Sequence, residues 1–206
     1  KEHVTGLFLA RGCKASDLAT PDARARGALA TWSLDASALA DPAVPAALRA
    51  EAFVRAGRPE DALPLVAAPD GTHAFLVRAM ALEQLGRRDE AAKAAAQCRE
   101  LGDRDGAPRD ARMDAIEATA LLARVEGRPA RDWQSMLDAL GGLRDADRLD
   151  PRPRVLEGRL LVEKDRYQEG VAALREALSL DLRNGEALFL LGQVALRTFD
   201  FEGAPS

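Results

Sequence analysis

The side chains that could do acid–base, nucleophilic or metal chemistry are few in this sequence. Its 206 residues include two histidines, His3 and His73, and two cysteines, Cys13 and Cys98. A catalytic triad or a histidine-ligated metal needs several such groups together, and the chain has no glycine-rich phosphate loop and no Gly-x-Ser-x-Gly or His-Glu-x-x-His motif. The sequence therefore predicts no enzyme, no cofactor and no metal site. A hydrolytic activity lost on mutating His73 would reverse that prediction.

The individual candidates for chemistry have simpler interpretations. His73 stands near the start of a predicted helix, where a solvated or capping role is favoured over catalysis. Cys98 lies among alanines within a helix, so we expect a small buried thiol. Segment 103–106 places two aspartates beside a glycine but lacks the later carboxylates of a calcium-binding loop, which favours an ordinary turn.

Composition and charge exclude several classes of partner. The net charge is −4 and the pI about 5.4, with acidic and basic residues spread over both halves, so nucleic acid is not a predicted partner. No apolar run approaches the roughly 18 residues that cross a bilayer, and no signal peptide is recognisable, so no membrane insertion by this chain is predicted. Cys13 follows Gly12 as at a lipoprotein cleavage site, but Arg11 argues against lipidation.

The source and the compartment are only weakly indicated. Arginine outnumbers lysine by 25 to 4, and alanine is abundant, which is typical of a GC-rich bacterial genome. Two cysteines are too few to indicate a redox compartment. The localisation stays open, with the bacterial cytoplasm slightly favoured over the periplasm.

Helix starts and ends are clearly marked along the chain. A short polar residue precedes proline at Thr20-Pro21, Asp41-Pro42 and Asp150-Pro151, as at many helix N-termini. Glycines at 57, 86, 102, 127 and 141–142 mark helix ends. No segment alternates as a strand does. The predicted helices are 2–12, 21–39, 42–56, 59–67, 73–85, 89–101, 108–126, 129–140, 151–163, 167–180 and 185–198.

Four turns between these helices share one pattern, in segments 54–62, 83–91, 124–132 and 162–170. Each has a turn residue, usually glycine, followed by an arginine and usually by an acid and a small residue. Such repetition favours a stack of helical hairpins over a simple bundle.

The pattern resembles the turn of the tetratricopeptide repeat, a 34-residue helical hairpin with small residues at fixed positions. With its first position at residue 151, the matching residues are Gly158, Tyr167, Gly170, Leu174 and Ala177. The period continues into 185–206, and a less regular repeat lies near 72–104. Earlier repeats differ in length because Pro64 and Pro69 interrupt a helix and 101–107 is inserted.

The resemblance implies an all-α fold, a right-handed superhelical α-solenoid of hairpins. About four repeats and the first helix of a fifth would span 42–206, and residues 1–41 would form an N-terminal helical pair, as a cap or a degenerate repeat. The chain begins with Lys1 and stops soon after Ala204, so we expect it to come from a longer protein. Helix 185–198 would then expose an apolar face.

In proteins of this family the first helices of the hairpins line a concave groove that holds a peptide or helix of a partner. The resemblance therefore implies a protein–protein interaction scaffold or adaptor. The groove residues carried onto this sequence are Arg55, His73, Met80, Glu83, Glu117, Leu121, Arg124, Arg152, Arg159, Phe189, Gln193 and Arg197.

Several alternatives stay open at this point. The groove arginines would favour an acidic partner segment, or they only pair with neighbouring acids and keep the stack hydrated. The module could instead be a regulatory or sensor domain that binds a small peptide or metabolite for a missing effector domain. It could also associate with itself through the open C-terminal end at 185–206.

Overall fold

The secondary structure is helical throughout the residues that the structure describes. The structure is a computed structural model and describes residues 20–32, 41–127 and 133–198. Within these ranges no strand is present, and a short 3-10 turn spans Leu63–Val66. The all-α prediction is confirmed. The helices are α1 (Pro21–Ala30), α2 (Ala46–Arg55), α3 (Pro59–Ala62), α4 (Gly71–Gln84), α5 (Arg88–Gly102), α6 (Arg109–Glu126), α7 (Trp133–Ala146), α8 (Arg152–Glu163), α9 (Tyr167–Leu180) and α10 (Gly185–Thr198).

The predicted boundaries of α9 and α10 are confirmed, and those of α4, α5, α6 and α8 differ by one or two residues. The predicted helix 2–12, which includes His3, lies outside the described residues, as do Cys13 and residues 33–40, 128–132 and 199–206.

Four predicted boundaries were wrong. The helix at 21–39 ends at Ala30, and the helix at 42–56 begins at Ala46 because Asp41 opens a turn by accepting a hydrogen bond from the Ala43 amide. The helix at 59–67 becomes a 3-10 turn over Leu63–Val66, which contains Pro64. Gly141-Gly142 lies inside α7 instead of ending it.

The chain divides into two compact units. We call Leu39–Ala139 the central unit, and Lys1–Ala38 together with Leu140–Ser206 the terminal unit. The sequence-based division at residue 41 stays a prediction.

In the central unit α4 packs between its chain neighbours. One apolar face of α4, including Ala74 and Val77, joins α2, α3 and the 3-10 turn. Another face, including Leu76 and Leu82, joins α5 and α6. Cys98 is fully buried in this second cluster, as predicted. Helix α4 therefore buries one apolar face against the helices that precede it and another against those that follow it, as in a solenoid.

In the terminal unit, small residues bring α8 and α9 together. A Cβ placed on Gly158 would lie 2.6 Å from Leu174 Cγ, and one on Gly170 would lie 2.9 Å from Val162 Cγ2. The two backbones therefore approach more closely than any larger residue permits. Leu174 and Ala177 are fully buried, and α10 closes the cluster with Leu190, Leu191 and Val194.

Candidate functional site

The candidate site consists of two faces, one in each compact unit, formed by the first helices of successive hairpins. These are α2, α4 and α6 in the central unit, and α8 and α10 in the terminal unit. The two faces are described separately below. All twelve predicted groove residues lie on these five helices.

The first helices of the central unit, α2, α4 and α6, are joined at one end by a charged cluster. His73 of α4 lies between two carboxylates, with Nε2 3.2 Å from Glu51 Oε2 of α2 and Nδ1 3.6 Å from Asp114 Oδ1 of α6. Arg55 pairs with the other Glu51 oxygen at 2.6 Å, and the Thr72 hydroxyl donates to Asp114 Oδ2 at 2.7 Å. We call Glu51, Arg55, Thr72, His73 and Asp114 the His73 cluster.

Within the His73 cluster, His73 and Glu51 are both held in their charged forms. Burial opposes ionisation of both groups, but the carboxylates of Asp114 and Glu51 outweigh it and raise the pKa of His73 to about 10. Arg55 and His73 likewise outweigh the burial of Glu51 and lower its pKa to about 2. His73 is therefore an imidazolium held in an ion-pair network, which adds contacts to two carboxylates to the solvated or capping role predicted from the sequence. A protonated imidazole has no lone pair for a metal or for base catalysis.

At their other ends, α4 and α6 are joined by a second pair. The Arg124 guanidinium donates to both carboxylate oxygens of Glu83, with Nε–Oε1 3.0 Å and Nη2–Oε2 3.1 Å. The Gln84 amide of α4 also donates to the Val54 carbonyl of α2 at 3.1 Å. Helices α2, α4 and α6 are thus held in register by polar contacts near both ends and by apolar packing between them.

The apolar candidates of this face differ in accessibility. Leu121, a predicted groove residue, is fully buried in the cluster of α4, α5 and α6, so its side chain is not accessible to a partner on this face. Met80 is half-buried, packs against both central clusters and retains exposed surface. Glu117 is half-buried on α6. Met80 is the predicted apolar residue that a ligand could reach on this face.

In the terminal unit the predicted arginines also have acidic partners. Arg159 of α8 pairs with Glu186 of α10 at 3.3 Å. Arg152 binds both oxygens of buried Asp150, with Nη2–Oδ2 2.8 Å, so it fixes the start of its own helix. Arg197 is exposed on α10. The pKa of Tyr167 is raised, chiefly by its hydrogen bond to Asp165, and Arg197 opposes that shift.

Phe189 and Gln193 lie one turn apart on α10. Phe189 is 49% exposed and Gln193 is half-buried. The Phe189 ring is in contact with Trp32, 5.0 Å between centroids. Sequence analysis had not linked residues 20–32 to this helix, because no periodic signal connects segments so distant in the chain.

Sequence analysis also missed Asp114 and Thr72. The i,i+4 spacing of Glu51 and Arg55 was a usable signal for that pair. The partners of His73 lie on two other helices, so only packing brings them together. Among the described residues, no group of three His, Cys, Asp or Glu side chains is arranged to hold a metal ion.

Comparison with known proteins agrees with this architecture. The helical hairpins and the close α8–α9 crossing define a helical-repeat class of protein. The family profile of the tetratricopeptide repeat matches residues 151–184, the register predicted from the sequence. The chain therefore contains a tetratricopeptide repeat, which indicates a role in protein–protein interaction. No curated protein matches the chain significantly.

A search of the described helices for membrane-spanning segments was negative. None combines the length and the apolar character that a bilayer crossing requires.

Proposed function

We propose that this chain is a non-enzymatic scaffold or adaptor module that binds a peptide or helix of a partner protein on its first-helix faces. The observation that supports this most is the polar linkage of α2, α4 and α6. The His73 cluster and the Glu83–Arg124 pair hold three neighbouring helices in one register. A face held in this way is ordered before a ligand arrives, which lowers the entropic cost of binding.

The charges on this face limit what it recognises. Arg55, Arg124 and Arg159 already face carboxylates of the same molecule at 2.6–3.3 Å. A partner carboxylate would have to compete with those acids, so we propose that acidic residues of the partner modulate recognition and that apolar side chains provide most of its affinity. Met80 and Phe189 are the apolar contacts we assign. The sensor-domain alternative and self-association through the C-terminal end remain predictions.

The proposal is tested by capture from a lysate of the source organism with the chain immobilised. We expect wild type and Arg99→Glu, an exposed residue of the second helix α5, to retain the same partner. Arg124→Glu should release it, although both variants change charge equally. If all three chains retain identical proteins, the first-helix assignment is wrong.

A charge swap separates the structural from the recognition role of Arg124. The double variant Glu83→Arg with Arg124→Glu restores an ion pair between α4 and α6 with its polarity reversed. Capture restored by the swap would show that the pair acts by fixing helix register. Capture still absent, with the helical circular dichroism and the melting temperature intact, would show that Arg124 contacts the partner.

A further inference from the structure

Trp32, two residues beyond α1, lies on the face of α10 assigned to partner binding. Its ring is tilted by 39° to the Phe189 ring at a centroid distance of 5.0 Å, a favourable aromatic geometry. Both residues belong to the terminal unit. An aromatic side chain of the chain itself therefore covers part of a predicted groove residue.

The first residue of α10 is shaped for this contact. A Cβ at Gly185 would lie 2.7 Å from Trp32 Cβ and Cγ, closer than real Cβ atoms approach, and 3.0 Å from the Thr31 carbonyl carbon. Glycine is a poor helix former, so packing against Trp32 is the structural role of glycine here. Gly185 and Phe189 are one turn apart on the same face. We call these two residues the aromatic seat.

The backbone of Trp32 adds a second observation. Its φ is +51°, a left-handed conformation that is rare for a bulky residue. Helices often end with a residue in this region, but that residue is usually glycine. Such strain persists only where surrounding contacts hold it, and the seat supplies such a contact. Release of Trp32 would relieve this strain, which favours an occupant that can be displaced.

The seat lies at one end of an open face. Phe189 remains 49% exposed with Trp32 in place, and Leu196, about two turns further on, is 64% exposed. A ligand lying along α10 could therefore contact Leu196 and Gln193 and then reach Phe189. Full contact with Phe189 requires that Trp32 leave.

We infer that residues 20–32 are an intramolecular occupant of α10, and that a partner segment bearing an aromatic side chain displaces Trp32 from the aromatic seat. This rests on the proposed function and deepens it by naming the class of side chain recognised. The N-terminal segment would then lower the apparent affinity for a partner, since the partner must compete with Trp32, which is already present at high effective concentration.

Docking of Trp32 is measured by fluorescence in a Trp133→Phe chain, where Trp32 is the only tryptophan. We expect Trp32 to be shielded from acrylamide and Gly185→Ala to increase its quenching constant several-fold. Phe189→Ala should also increase it. The matched control is Gly142→Ala in α7, where no described atom lies within 4 Å of the added Cβ. Equal quenching in all four chains, with circular dichroism confirming the fold, would overturn the inference.

Displacement is measured with a synthetic peptide of residues 20–32. A fluorescein label on the peptide reports its binding by anisotropy whether or not the chain contains tryptophan, and the first chain tested carries Trp32→Gly and Trp133→Phe. We expect it to bind this chain several-fold more tightly than the Trp133→Phe chain with Trp32 in place, and to bind less tightly after Gly185→Ala. Equal binding to all chains, or none to the Trp32→Gly chain, would overturn a displaceable occupant.

These readouts need no partner protein. Docked Trp32 with no protein captured would count against the proposed function alone. A captured partner with unshielded Trp32 would count against this inference alone.

Discussion

At the residue scale, the described structure gives His73 a fixed positive charge. Its imidazole faces Glu51 at 3.2 Å and Asp114 at 3.6 Å. Two carboxylates beside one imidazole favour its protonated form, and the imidazolium in turn favours the ionised form of Glu51. The cluster links α2, α4 and α6, so its protonation state contributes to the stability of the central unit.

The pKa shifts of His73 and Glu51 predict that the free energy of unfolding is greatest at an intermediate pH and decreases on both the acid and the alkaline side. The pKa of His73 is raised from 6.5 to about 10, so its contribution is complete below pH 6.5 and is lost as pH rises through 10. The pKa of Glu51 is lowered from 4.5 to about 2, so its contribution is complete above pH 4.5 and is lost as pH falls through 2. Urea unfolding at a series of pH values should give the highest midpoint between pH 4.5 and 6.5.

The control for this pH dependence is His73→Gln, which keeps a polar side chain but cannot be charged. We expect it to unfold with about 1–3 kcal/mol less stability near neutral pH, since buried Glu51 and half-buried Asp114 lose their cation. Its urea midpoint should decrease less with rising alkaline pH than that of the wild type. If the urea midpoint of the variant decreases at alkaline pH as much as that of the wild type, other groups cause the alkaline loss of stability.

Gly158 gives a second residue-scale prediction. Gly158→Ala adds a Cβ 2.6 Å from Leu174 Cγ, and we expect a net loss of about 1–3 kcal/mol despite the better helix propensity of alanine. Gly142→Ala adds a Cβ with no described atom within 4 Å, and should gain up to about 1 kcal/mol. Thermal unfolding of both variants checks this. A stabilised Gly158→Ala would mean that α8 and α9 separate easily.

At the element scale, three hairpin turns are built alike. Gly57, Gly86 and Asp165 are left-handed, with φ of +70°, +72° and +59°. The arginine after each donates its amide to a carbonyl of the preceding helix at 2.8–3.0 Å, a Schellman ending. Its guanidinium then pairs with an acid three residues later. The pairs are Arg58–Asp61, Arg87–Glu90 and Arg166–Glu169.

This shared geometry predicts opposite outcomes at two equivalent positions. Gly86→Ala forces a Cβ into the left-handed region and should cost about 1–2 kcal/mol. Asp165→Gly removes a Cβ from that region, so we expect a small increase in stability. The increase is limited because the hydrogen bond from Tyr167 to Asp165 is lost. Urea midpoints measure both. A Gly86→Ala chain as stable as wild type would contradict the assigned turn.

At the scale of the whole molecule, Cys98 reports on the central unit. Its side chain is fully buried between α4, α5 and α6, and burial is the largest cause that raises the pKa of its thiol. In a Cys13→Ser chain we expect alkylation of Cys98 to be at least about a thousandfold slower than that of a free thiol, since labelling requires unfolding. Mass spectrometry during a urea titration measures this, with a short unfolded peptide containing Cys98 as reference. Rapid labelling without urea would show that the α4–α6 cluster opens locally.

The local structure and the repeat follow from the amino-acid sequence alone. Capping residues, helix-ending glycines and residues at 34-residue spacing depend on contacts within a few turns, so they predicted α9, α10 and the register at 151–184. The same local signals failed at Asp41-Pro42 and Gly141-Gly142, since a proline or glycine is compatible with more than one backbone path.

Contacts between side chains of distant segments depend on how the helices pack. Glu51, His73 and Asp114 lie on three helices, and Trp32 lies far in sequence from Gly185 and Phe189, so no periodicity links them. Helical register predicts which face a residue occupies, but burial depends on the neighbouring helices, which is why Leu121 lies in the core. The physical reason is that helix periodicity is local, whereas ion pairing, burial and ring contacts depend on distances set by packing.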